Sequence, residues 1–77
     1  MTDRTETIQM LERRFDWFPA KFSWRGQIYT VEAVNECKTV TDRRSEWGMH
    51  HFWVRSAGRR FHLCEVLPRN RWLLYQD

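Results

Sequence analysis

The chain predicts an all-β domain: a small antiparallel barrel or curled meander of five or six strands, of SH3-like size. Three observations carry that prediction. Apolar and polar residues alternate on both sides of Arg25-Gly26 and again on both sides of Ala57-Gly58, and a further apolar run, Trp72-Leu73-Leu74-Tyr75, follows Pro68-Arg69-Asn70. Alternation with period two marks a strand with one buried face, and a dipeptide ending in Gly supplies the positive φ that a two-residue hairpin loop needs. Short strands joined by short turns close on themselves, which also disposes of exposed strand edges.

Residues 1–14 leave two readings open. Asp3-x-x-Glu6 has the form of a helix capping box, with Ile8, Leu11 and Phe15 at helical spacing. Alternatively Ile8 and Met10 begin a short first strand, or the segment is irregular. The β character downstream favours the strand.

The first hairpin places Trp24 opposite Gln27, Phe22 opposite Tyr29 and Ala20 opposite Val31. Phe22, Trp24, Tyr29, Val31 and Ala33 then share a core face, while Lys21, Ser23, Thr30 and Glu32 point to solvent. A strand continues from Ala33 to Val40, but Val34 breaks the alternation and predicts a bulge near Ala33-Val34. The polar stretch TDRRSEWG, residues 41–48, reads as the longest loop.

In the second hairpin an even loop pairs Val54 with Phe61 and Phe52 with Leu63 on one face. The other face then pairs Arg55 with Arg60, Trp53 with His62 and His51 with Cys64. A three-residue loop would shift this register by one. The final strand, 72–75, is too apolar to have an exposed side.

The 77 residues suit a single domain, 1–77, near the lower size at which a chain folds unaided. Hydrophobic residues make up 42% and aromatics 16%, so a few large side chains can build the core. No apolar run approaches the ~18 residues of a membrane span and no secretory leader is recognisable, which predicts a cytoplasmic protein without membrane contact. Cys37 and Cys64 are too few for a disulfide framework and read as reduced thiols.

The net charge of +3 hides an asymmetry. Residues 43–71 carry seven Arg against Glu46 and Glu65, whereas residues 1–42 carry six basic and seven acidic side chains. Of the thirteen basic residues eleven are Arg, whose flat fork suits phosphate, carboxylate and aromatic faces.

Those arginines frame the strongest candidate site, the outward face of the second hairpin. Arg55 opposite Arg60 is a like-charge pair that costs stability unless an anion lies between them. Trp53 and His62 stand beside it, and Arg59 and Arg71 are close to turns. Cations next to an exposed indole suit a nucleic-acid strand, with Arg on phosphates and the rings stacking bases. The competing reading lays Trp53 under a loop, with Trp47 as its partner and Arg stems covering it.

Metal and catalytic readings are weaker. His50, His51, His62, Cys37 and Cys64 are atoms zinc accepts, but no C-x₂-C pair exists and Cys37 must come from another strand. A Cys with a nearby His, oriented by Glu65, has the parts of a nucleophile pair. Nothing marks an oxyanion hole, a strained elbow or a Gly-rich phosphate loop. The expectation is therefore no metal, no cofactor and no enzyme activity.

Phe22-x-Trp24-Arg25-Gly26-x-x-Tyr29-x-Val31-x-x-Val34, then Phe52-Trp53-Val54-Arg55, Phe61-x-Leu63 and Trp72-Leu73-Leu74 resemble a small bacterial family of unknown function. That family carries F-x-W-R-G-x-x-Y-x-V, a following Y/F-W-x-V/R and a terminal W-x-L. It is encoded beside, or fused near, Y-family-polymerase-related proteins of damage-tolerance cassettes. The resemblance covers about residues 15–77 and consists mostly of core aromatics and a turn. This chain departs from it in the adjacent His50 and His51 and in a shorter charged loop around Trp47. The resemblance implies a cytoplasmic accessory role near DNA repair or translesion synthesis and carries over no catalytic residue.

The sequence thus points to a non-enzymatic module for single-stranded nucleic acid or a nucleic-acid-processing complex, using Arg55, Arg60, Trp53, His62, Arg59 and Arg71. It is expected as a monomer or weak homodimer. The rival is a protein-interaction module that turns the same Arg/Trp face to an acidic partner or to itself.

Overall fold

The computed structural model describes residues 4–15, 17–41, 48–67 and 71–76. Seven strands form one antiparallel sheet: β1 (Arg4–Arg14), β2 (Phe18–Trp24), β3 (Gln27–Thr30), β4 (Ala33–Thr41), β5 (Gly48–Ser56), β6 (Arg59–Leu67) and β7 (Arg71–Gln76). Their order across the sheet is β3-β2-β1-β7-β6-β5-β4, curled into a half-barrel. Seven strands replace the expected five or six. The extra strand comes from residues 4–14, which make an 11-residue strand rather than a short strand or a helix. Asp3, the first residue of the capping-box reading, lies outside the described residues, as do the 42–47 stretch of the expected loop and the turn 68–70.

Two segments turn corners, and these corners make the curl. The first half of β1 pairs with β7, Arg4↔Gln76 through Ile8↔Trp72, whereas its second half pairs with β2, Gln9↔Ser23 through Arg14↔Phe18. Register shifts on either side of Glu12 bend that second half. At the other corner the Val31 N–H donates to the Ala20 carbonyl at 2.8 Å, and the next N–H, of Glu32, donates to the Arg55 carbonyl at 2.8 Å. Strands that change partners at a bend are how a small sheet folds over its own core.

Both hairpins take the expected registers. Trp24 opposes Gln27 and Phe22 opposes Tyr29, while Phe52, Val54 and Trp53 oppose Leu63, Phe61 and His62. The loops carry positive φ at both central residues, 51° and 79° at Arg25-Gly26 and 51° and 72° at Ala57-Gly58. That is the mirror-image turn whose twist matches the strands. The bulge falls one residue past the expected place, between Val34 and Glu36. Ala33 is consequently exposed and Val34 packs on the core, because the corner at 31–32 resets the alternation.

The core lies inside the curl. Phe22, Phe52, Val54, Leu63 and Leu74 are fully enclosed, joined by Ile8, Trp24, Val31, Phe61 and Trp72. Glu6, a capping-box residue only in the helical alternative for this segment, fastens β1 to the first turn. Its carboxylate accepts from Trp24 Nε1 at 3.2 Å and from Arg25 Nε and Nη2 at 3.1 and 2.6 Å. The bonds from Arg25, and secondarily from Trp24, hold the Glu6 carboxyl below its ordinary range against the opposing effect of desolvation.

Candidate nucleic-acid interface

The outer face of β5, β6 and β7 is set by parity. Because Phe52 and Val54 point inward, His51, Trp53 and Arg55 must point outward, and the register brings His62 and Arg60 beside them. One row runs Trp53↔His62↔Tyr75 across three strands. Its rings are stacked: Trp53 on His62 with centroids 4.4 Å apart and planes 16° apart, His62 on Tyr75 at 4.3 Å and 15°. Those spacings are close to the distance between neighbouring strands, so the rings stand upright and face one another along the row. His51 leans against this column, 5.9 Å and 26° from Trp53.

The column offers its edges and ends rather than a flat platform. This refines the sequence expectation, in which Trp53 and His62 each present a free face to a base. Trp47, the loop partner of the competing reading, lies outside the described residues.

Arg55 and Arg60 sit directly opposite each other in the row alongside Trp53 and His62, and both are exposed. Neither takes part in the two ion pairs formed among the described residues, Arg25–Glu6 and Arg13–Glu65. A groove of about 590 Å³ runs past Glu36, Trp53, Arg55, Arg60, His62 and Tyr75.

Arg59 and Arg71 are not part of this site. Arg59 follows Ser56 in register and turns to the core side, its guanidinium over the rings of Trp24 at 5.8 Å and Phe61 at 5.1 Å. Arg71 pairs with Val66, four residues along β7 from Tyr75, where it lines a separate groove with Thr7 and Trp72. Tyr75 is the residue that sequence reasoning missed. The signal was the alternation Trp72/Leu74 against Leu73/Tyr75, which gives the closing strand two distinct faces.

The histidines and cysteines separate into pairs. His51 Nδ1 lies 2.9 Å from His62 Nε2, a hydrogen bond only while one ring is neutral. Burial, assisted by the Lys38 charge, lowers the His51 pKa from its ordinary 6.5. Cys64 opposes His51 on the outer side but is wholly enclosed, and burial pushes its thiol up to about 11 even with a hydrogen bond from Tyr75. A thiol so placed is neither a nucleophile nor a ready metal ligand at neutral pH. Cys37 opposes Phe52 and therefore stands on the other face of the sheet. His50, which shares that face, has its Nδ1 2.9 Å from Thr39 Oγ1 and its ring against Trp17 at 4.4 Å. Among the described residues no three His, Cys, Asp or Glu side chains gather in a metal-holding group. No helix long and apolar enough to cross a membrane occurs among them.

Comparison of the chain with protein-family models, curated proteins and solved structures returns no match.

Proposed function

We propose that the chain is a non-enzymatic module that binds single-stranded nucleic acid on the outer face of β5–β7, as a cytoplasmic accessory to DNA repair. The observation that supports this is the Arg55/Arg60 pair in the row alongside Trp53 and His62 of the stacked column. Two cations held side by side, neither of them in an ion pair among the described residues, favour an anion, and a phosphate satisfies both. A base attached to that phosphate can pack against the neighbouring Trp53 ring, since every base has a π-face. No helix among the described residues is available to enter a major groove, so an unpaired strand is the better ligand.

The test is a titration of labelled single-stranded and duplex oligonucleotides at several salt concentrations. Single strands are expected to bind more tightly, with log affinity falling against log salt at a slope of about −1 to −2, the contribution of two arginines. Arg55→Ala with Arg60→Ala should remove most of that slope without unfolding the protein. Trp53→Ala should cost about 1–3 kcal/mol of affinity and leave the slope in place, because stacking releases no counterions. Absence of binding at low salt, or binding untouched by the double Arg change, refutes the reading and favours an acidic protein partner on the same face.

A further inference from the structure

The two end strands of the sheet are treated differently. β3 is four residues long, and its last carbonyl, Thr30, already accepts from the Ser56 hydroxyl at 2.7 Å. β4 is nine residues long, and among the described residues nothing pairs with its outer edge. A long unpaired edge is a template for another strand. Beside it lies a cavity of about 550 Å³ between the edge and the β1–β2 turn, lined by Phe15, Phe18, Pro19, Val34 and Cys37. Phe15 is 85% exposed there and holds a φ of 58°, an unusual conformation for a bulky residue. An exposed aromatic rim along an open edge is surface that association would cover.

We propose that the strand it receives is β4 of a second copy, antiparallel, with the two-fold axis passing through Cys37. Face and charge select that register. A two-fold axis perpendicular to the sheet keeps the inner faces of both copies on one side, so only residues that share a face can oppose each other. Centring the pairing on Glu36 or on Lys38 sets that charge against its own copy, which is unfavourable. Centring it on Thr39 leaves Lys38 opposite Val40. Centring it on Cys37 sets Glu36 opposite Lys38 twice, both on the outer face, with Cys37 opposite Cys37 on the inner face. The edge is thus complementary to itself in one register. The bulge at Asn35 confines regular pairing to the residues around Cys37, so the dimer is a reversible one that dissociates on dilution. This pairing does not rest on nucleic-acid binding.

The experiment is sedimentation equilibrium over a dilution series, comparing the native chain with E36K, K38E and E36K/K38E. Both side chains are exposed, and a thermal melt of each variant confirms that it is folded. Each single change should weaken dimerisation about tenfold, and the double change should return it to within about threefold of the native chain. Copper-phenanthroline should capture a covalent dimer through Cys37 that C37S abolishes, while the enclosed Cys64 stays unreacted. A protein monomeric up to nearly millimolar concentration overturns the proposal. So does a dimer indifferent to the single changes, one the double change fails to restore, or one not captured through Cys37.

Discussion

Two groups of aromatic rings occupy opposite faces of this sheet, and they meet in different ways. Inside the curl, Phe61 meets Phe22 at 77° and Trp24 at 78°, edge to face. Outside, Trp53, His62 and Tyr75 lie within 16° of parallel. The inner cluster has stacked contacts as well: Phe22 on Tyr29 at 15°, a directly opposed pair on neighbouring strands, and Phe52 on Trp72 at 29°. Direct opposition in register therefore gives the most nearly parallel pairs, within 16°, and rings brought together by the curl meet at wider angles. No second layer of described residues covers the outer face, and its rings stand in a column along the row.

The sharpest way to test this division is to delete one indole from each face. Trp24→Ala removes a buried ring that holds Phe61 and the Glu6 bond together, and should cost about 3–5 kcal/mol in chemical denaturation, enough to unfold a domain of this size. Trp53→Ala removes a half-buried stacked ring and should cost about 1 kcal/mol. Equal costs would mean that the column is as structural as the core.

Acid should act on the outer group before the inner one. The His51 pKa is lowered in the folded chain from 6.5, so below that value the unfolded state takes up the proton more readily and stability falls as pH falls. Above about pH 6.5 both states are neutral at this site and the effect vanishes. The melting temperature should therefore decline between pH 7 and 5, and His51→Ala should flatten that decline. An unchanged slope would place the acid sensitivity elsewhere.

The smallest effect belongs to the turns. Arg25 and Ala57 both hold φ at 51°, but Arg25 is compensated by its two bonds to Glu6 and Ala57 by nothing comparable. Ala57→Asn should raise stability by about 0.5–1 kcal/mol, since Asn tolerates this conformation better. Loss of stability would show that the second turn is not under strain.

Both hairpins were legible in the sequence because their information is local. Gly26 and Gly58 set the turns, and strict alternation on either side sets which residues meet. The like-charged Arg55/Arg60 pair and the Trp53/His62 pair follow from that alone. What was not legible depended on distant partners. RTETIQMLERR becomes a single long strand because β7 takes its first half and β2 its second, a pairing that neither the segment nor its flanks reveal. Glu6 fits a capping box until Trp24 and Arg25 are known to lie against it. Arg59 was grouped with Arg60 by proximity, although adjacent strand residues point to opposite faces. Tyr75 could join the column only once β7 was docked on β6.

That docking also orders the assembly of the chain. The hairpins at Arg25-Gly26 and Ala57-Gly58 join neighbours in sequence, whereas β7 must find β1, with Arg4 opposite Gln76 at nearly the full span of the chain. Contacts of such long range form late, because the loop they close costs entropy before any pairing offsets it. β7 lies between β1 and β6, so its arrival joins the two ends of the chain and lays Tyr75 on His62 in one event. Pulse-labelled hydrogen exchange during refolding should find the amides of both hairpins protected before those of β7. A partly folded chain would then display Arg55 and Arg60 beside an unfinished column, and completion of the proposed binding face would itself report that folding is finished.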